Sequence, residues 1–434
     1  MDVQRFDRPV RLRGTLSVPG DKSISHRALL FAALAKGRTQ LLGLANGDDV
    51  RATATALRQL GVVVDWGGDS VTVHGTTAAA WHCPAGPIDC GNSGTTLRLL
   101  LGILAARDGL SATLHGDPSL SRRPMRRVAA PLASLGADIG LSRDGTAPVS
   151  VRGKRLQGGR CDLPIASAQV KTALLLAGLA ATADVSVREP AQSRDHSERM
   201  LHAMGARLRA ADGWLTVSPG PLHALERLDV PGDPSSAAFA AVAAALHPQA
   251  WVRVEGICLN PTRTGWVRAL QQMGAAVEVV VDQQAAGEAC GAVTVRSSQL
   301  GPLRIQPSEV PSLIDELPVL AVAAAAAAGT SRWDGIAELR VKESDRLARI
   351  EVLLAALGVA TRSGPDWLEI DGAGSVAAWQ GGGVRYPAAL DHRMAMAAAV
   401  AGLAGPRPFD VSGFSAVTTS WPGFVAAMQA LASP

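Results

Sequence analysis

A Leu-Gly or Met-Gly step recurs along the chain, at Leu60-Gly61, Leu135-Gly136, Met204-Gly205, Met273-Gly274 and Leu357-Gly358, each followed by a short apolar run. Each glycine stands where a helix would end, because a residue after the last turn takes positive φ and glycine does so without a Cβ penalty. Upstream of each step lies the same order of a small polar turn, an Ala/Leu-rich helix, a short strand, a polar loop and a second helix. The repeat is about seventy residues long. First helices are predicted to begin at Asp21-Lys22-Ser23, Gly91 to Thr95, Ala166 to Gln169, Gly232 to Ser236, Asp315-Glu316 and Asp391-His392-Arg393, making six units, the last truncated near Ala432. Solenoid repeats usually run about 20 to 50 residues and need no polar cluster at every helix start. The pattern therefore predicts an α/β protein of two pseudo-symmetric globular domains. The segment Asp229 to Ser235 closes three units and opens three, and is the predicted boundary. Val10 to Val18 alternates in polarity and reads as a strand that could join either half.

Composition narrows the functional classes. With 47% hydrophobic and 18% charged residues, a mainly disordered chain is excluded. The net charge of +4 suits anionic ligands, but aromatic residues are only 4%, with a single Tyr386, so stacking platforms for nucleic acid are scarce. The apolar run Leu317 to Gly329 is shorter than the roughly 20 residues needed to span a bilayer. Met1 to Arg13 mixes acidic and basic residues with no apolar core, which is wrong for a secretory leader. Cys83, Cys90, Cys161, Cys258 and Cys290 include no Cys-x-x-Cys spacing, predicting reduced cytosolic thiols and no zinc ribbon. Gly14 to Ser23 is not a phosphate loop, since five residues separate its glycines and Asp21 precedes Lys22. No nucleotide fingerprint or metal-binding motif occurs, so neither cofactor nor metal is expected.

The helix starts carry the chemistry. A first helical turn presents unpaired N–H groups and a positive dipole end, which an anion can use. Lys22, Ser23 and Arg27 lie at the first start, Asn92 to Thr95 and Arg98 at the second, and Ser167 and Gln169 at the third. Ordinary N-capping explains Ser, Asp and Asn there, but not Lys22, whose charge opposes the dipole. Second-helix starts add Arg122 and Arg123, Arg194, and the run Arg340 to Arg346. Lys342 and Arg346 are predicted to share one helical face, with Glu343 three residues before Arg346. A solvated, salt-bridged helix is the simpler account of that run by itself.

Seven segments together resemble the 5-enolpyruvylshikimate-3-phosphate synthase family from end to end. They are PGDKSISHR (Pro19 to Arg27), GNSGTTLR (Gly91 to Arg98), SRRPM (Ser121 to Met125), SAQVKTALLLAG (Ser167 to Gly178), DELP (Asp315 to Pro318), RVKESDRL (Arg340 to Leu347) and DHRMAM (Asp391 to Met396). The resemblance implies transfer of the enolpyruvyl group of phosphoenolpyruvate to the 5-hydroxyl of shikimate 3-phosphate, without a cofactor or metal. It implies two similar domains, each of three βαβαββ units (an inside-out α/β barrel), with the active site in the cleft between them. Residues 21–231 would form the first domain and residues 1–20 with 232–434 the second. It also implies a cytoplasmic monomer that binds neither nucleic acid nor membrane.

Carried over position by position, the resemblance gives shikimate 3-phosphate the residues Lys22, Ser23, Arg27, Ser167, Ala168, Gln169, Arg194, Asp315 and Lys342. Phosphoenolpyruvate would meet Lys22, Gly94, Arg123, Gln169, Arg346 and Arg393. Asp315, Glu343 and Lys22 would be catalytic, with Glu343 as acid and Asp315 as base. Two phosphorylated substrates need several cations, and arginine binds carboxylate and phosphate bidentately. A lysine common in the family's last unit has no counterpart in Val417 to Pro422. Glycine at Gly94 implies competitive inhibition by glyphosate. The related UDP-N-acetylglucosamine enolpyruvyl transferases usually carry a reactive cysteine in a loop that here runs Gly116 to Pro124 and has none. A non-catalytic anion- or nucleic-acid-binding repeat protein remains the alternative from another class.

Overall fold

The computed structural model describes residues 2–76 and 80–432. Among these described residues the strands form six sheets. One unit shows the common plan: strand Ile88–Asp89, helix Gly94–Ala105, strand Ser111–His115, helix Arg126–Ser134, then strands Asp138–Gly140 and Val149–Arg152. The first strand runs parallel to the second, and the last inserts antiparallel between the second and third. The same arrangement recurs in the sheets around Val185–Arg188 and Ala328–Asp334.

Three sheets are completed by strands remote in sequence. Leu12–Ser17 lies parallel to Ala250–Cys258, which settles where the N-terminal strand belongs. Val3–Phe6 pairs antiparallel with Phe409–Ser412, so the sheet of the sixth unit takes its antiparallel strand from the beginning of the chain. Leu222–His223 and Arg227–Asp229 both lie parallel to Ala35–Leu42. The chain divides into two compact units, Gly20–Val230 with Ala285–Glu288, and Met1–Pro19 with Pro231–Gln284 and Ala289–Pro434. The divisions fall one residue before the expected ones, and the tip of a hairpin counts with the first unit.

Each of the five repeat glycines has positive φ, at 88° for Gly61, 96° for Gly136, 82° for Gly205, 86° for Gly274 and 77° for Gly358. The helices before the second strands are buried on all sides, as expected for helices that are apolar around their whole circumference. Pro234–Leu246, Leu317–Ala325 and His392–Ala404 have no exposed residue, and alanine lets their backbones approach. In the first unit Gly102 does the same: a Cβ there would lie 2.3 Å from the Ala173 carbonyl oxygen.

The second helices begin later than the sequence suggests. Arg122 and Arg123 precede the helix Arg126–Ser134, and Arg194 lies two residues before His196–Ala203. Lys342 and Arg346 do not share a helical face. Asp345 caps the helix Arg346–Ala356 by accepting from the Ala348 N–H, which fixes its start and leaves Lys342 and Glu343 in the bend before it.

Candidate active site

In the first unit, three helix starts gather the cations. Asp21 caps Lys22–Leu34, accepting from the Ile24 N–H at 2.8 Å, so Ser23 is not needed as a cap. Its Oγ instead accepts from Arg194 Nη1 at 3.3 Å. Lys22, in the first turn where its charge opposes the dipole, pairs with Asp49 at 2.9 Å. Arg27 is 2% exposed and donates from Nε to Ser197 Oγ, from Nη1 to the Ser23 carbonyl and from Nη2 to Thr172 Oγ1. It thereby ties three helices together. Next to it, burial and the charges of Lys22 and Arg27 hold His26 well below the usual histidine range. Its Nδ1 bonds Thr53 Oγ1 at 2.7 Å.

The second and third starts share a network. Ser93 caps Gly94–Ala105, and Ser167 caps Ala168–Gly178. Arg98 Nη1 donates to Gln169 Oε1 at 2.6 Å, and Gln169 Nε2 donates to Thr95 Oγ1 at 2.9 Å. Arg123 Nη2 donates to Asn92 Oδ1, and Asn92 Nδ2 donates to Asp117. Gly94 faces both guanidinium groups: a Cβ there would lie 2.8 Å from Arg98 Nη1 and 3.3 Å from Arg123 Nη1. The Ala168 carbonyl accepts from Thr172 Oγ1 at 2.6 Å.

In the second unit, Arg346 organises the acids. It is 1% exposed, with Nε 2.9 Å from Asp391 Oδ2, Nη1 3.3 Å from Asp315 Oδ1 and Nη2 against Glu343 Oε2. Burial alone would lower its pKa, but Asp391, Glu343 and Asp315 outweigh burial and hold it above the usual arginine range. Arg393 donates to the Asp315 carbonyl at 3.1 Å and approaches its carboxylate at 3.6 Å. Lys342 approaches Glu338 at 3.7 Å; burial pushes its ammonium below the usual lysine range, against the pull of Glu338 and Asp315. In the segment lacking the family lysine, Val417 and Trp421 are buried and Thr418 Oγ1 bonds the Ser415 carbonyl.

Within the first unit the structure thus gathers Lys22, Ser23, Arg27, Gly94, Arg123, Ser167, Ala168, Gln169 and Arg194. Within the second it gathers Asp315, Lys342, Glu343, Arg346 and Arg393. Sequence reasoning missed Asp49, the partner of Lys22, and the pairing of Asp391 with Arg346. Asp391 was visible only as a helix start, and Asp49 as a first-turn acid of the helix Asp48–Gln59.

The family model for EPSP synthase (3-phosphoshikimate 1-carboxyvinyltransferase) matches residues 6–428. A 3-phosphoshikimate 1-carboxyvinyltransferase of Roseiflexus castenholzii is 47% identical over 421 residues, covering 96% of each chain. One from Limosilactobacillus fermentum is 46% identical over 423 residues, covering 97% of this chain and 96% of the other. Among solved structures, an EPSP synthase from Acinetobacter baumannii superposes with a TM-score of 0.86 at 39% identity, covering 99% of this chain and 98% of that one. The enolpyruvyl transferase NikO from Streptomyces tendae gives a TM-score of 0.78 at 20% identity, covering 100% and 97%, a likeness of fold.

Proposed function

The chain belongs to the EPSP synthase (3-phosphoshikimate 1-carboxyvinyltransferase) family, and from that membership we propose how its residues divide the reaction. The reaction moves the enolpyruvyl group of phosphoenolpyruvate to the 5-hydroxyl of shikimate 3-phosphate and releases phosphate. It needs a proton delivered to the methylene carbon and another taken from the hydroxyl, passing through a tetrahedral ketal phosphate. That intermediate then loses phosphate, and a proton from the new methyl group, to give the enol ether.

The observation that carries the assignment is the pair of acids on one buried cation: Asp315 and Glu343 sit on different nitrogens of Arg346. In this reading Glu343 is the acid and Asp315 the base, and Lys22 steadies the departing phosphate. Arg346, Arg393, Arg123, Gln169 and the Gly94 backbone receive phosphoenolpyruvate. A substrate carboxylate on Arg346 would compete with Glu343 for that guanidinium, and a carboxyl released from its cation holds a proton more readily. Substrate binding would thus arm the acid. Ser23, Arg27, Ser167, Ala168, Gln169, Arg194 and Lys342, with Lys22 and Asp315, receive shikimate 3-phosphate.

The reading extends to a cytoplasmic monomer inhibited by glyphosate. No helix among the described residues is long and apolar enough to cross a membrane, and the five cysteines are thiols. Phosphate release from phosphoenolpyruvate, measured with shikimate 3-phosphate and separately with UDP-N-acetylglucosamine as acceptor, tests the function. Release with the first acceptor alone is expected. Release with only the second would move the chain to the cell-wall reaction, and folded protein releasing none would leave an anion-binding protein.

A further inference from the structure

One buried charged cluster touches none of the residues assigned to the proton transfers. Lys171 lies one turn inside the helix Ala168–Gly178 and is 4% exposed. Its Nζ is 2.8 Å from Glu189 Oε2 and 2.7 Å from Glu198 Oε1. Burial would lower the Lys171 pKa, but Glu198 and Glu189 outweigh it and keep the ammonium charged. A salt bridge that only stabilised the core would end there. Glu189 does more, because its carboxylate is shared between two segments. Its Oε1 accepts the backbone N–H of Ser167 at 2.9 Å, and its Oε2 accepts the Ser193 hydroxyl at 2.8 Å. Ser167 opens the segment Ser167 to Gln169, and Ser193 immediately precedes Arg194. Both segments are assigned above to shikimate 3-phosphate, and one carboxylate fixes the spacing between them.

We infer that Glu189, held by Lys171, is a positioning residue for shikimate 3-phosphate: through the Ser167 N–H and the Ser193 hydroxyl it sets Ser167 to Gln169 against Arg194 without touching the substrate. The inference rests on the reading of the first unit given above. Nothing in the helix pattern requires a lysine at this buried position, which follows Val170 and precedes Thr172 and the apolar run Ala173 to Ala177. The fixed carboxylate accounts for it: a Glu189 carboxylate buried to this depth without a cation would be costly.

Ser193→Ala removes one hydroxyl and is the mildest probe, while Glu189→Gln removes the charge and Lys171→Met removes its anchor. Each is expected to raise KM for shikimate 3-phosphate by about three- to tenfold with kcat within about twofold, while KM for phosphoenolpyruvate, which shares Gln169, rises less in Glu189→Gln and Lys171→Met and stays unchanged in Ser193→Ala. Lys171→Arg is expected to restore most of what Lys171→Met loses. In an Arg194→Ala background, Ser193→Ala should add less than about twofold, since it acts through that arginine. Unchanged KM in folded Ser193→Ala and Glu189→Gln, or effects that simply multiply with Arg194→Ala, would overturn the inference. An Arg194→Ala enzyme with normal KM for shikimate 3-phosphate would instead remove the site assignment beneath it, and the inference with it.

Discussion

Asp391 and Arg346 form an ion pair at 2.9 Å with both side chains almost wholly buried, and the same carboxylate accepts the Arg393 N–H at 3.0 Å to cap the helix His392–Ala404. One group therefore starts a core helix and aims a guanidinium that also carries Asp315 and Glu343. Asp391→Asn separates the two duties, because asparagine caps helices as well as aspartate but carries no charge. The variant is expected to lose about 1.5 to 3 kcal/mol, the worth of a charged hydrogen bond, rather than the larger cost of a fully orphaned cation. Denaturant unfolding measures this. No loss would mean that Asp315 and Glu343 alone satisfy Arg346.

Glu343→Gln and Asp315→Asn preserve shape and remove a proton carrier. Turnover is expected to fall by about 10² to 10⁴ in each. The turnover rate with both substrates saturating is the measurement, and near-normal turnover in either variant rejects that residue's role.

Gly94→Ala should fold, since the first atoms its Cβ meets are side-chain ends of Arg98 and Arg123 rather than backbone. Displacing Arg98 disturbs the 2.6 Å bond that fixes Gln169. The expected result is a KM for phosphoenolpyruvate raised several-fold, together with weaker competitive inhibition by glyphosate than in the parent enzyme. If millimolar glyphosate leaves the parent unaffected and the variant behaves like it, the glycine has no such role.

His26 gives the protein a pH dependence of stability. Its folded pKa is depressed by burial and by Lys22 and Arg27, so the unfolded chain takes up a proton that the native state refuses. Its contribution is complete above about pH 6.5, the usual histidine value, and is lost as pH falls from there toward the folded pKa, by up to about 1.4 kcal/mol per pH unit. Unfolding curves between pH 5 and 8 should show this slope in the parent and a shallower one in His26→Asn. Equal slopes would place the pH dependence elsewhere.

The repeat glycines and the polar helix starts made the six units readable, because helix ends and caps depend on local backbone geometry that a few residues dictate. The same locality misled at Lys342. Four-residue spacing implied a shared helical face, but Asp345 is the better cap, and the helix begins after it. Glu343 still reaches Arg346, from the bend before the helix rather than along its side.

The sequence by itself determined the repeat, the buried Ala-rich helices, the identity of the cations and the family resemblance, all of which follow from short patterns and residue chemistry. Tertiary structure alone decided which remote strand completes each sheet, as when Val3–Phe6 closes the sheet that holds Phe409–Ser412. It alone paired Lys22 with Asp49, Arg98 with Gln169 and Arg346 with Asp391. Charge attraction and hydrogen bonding act over any sequence separation, so a cation's partner is whichever acid or polar acceptor the packed helices bring within about 4 Å, and no local pattern encodes that choice.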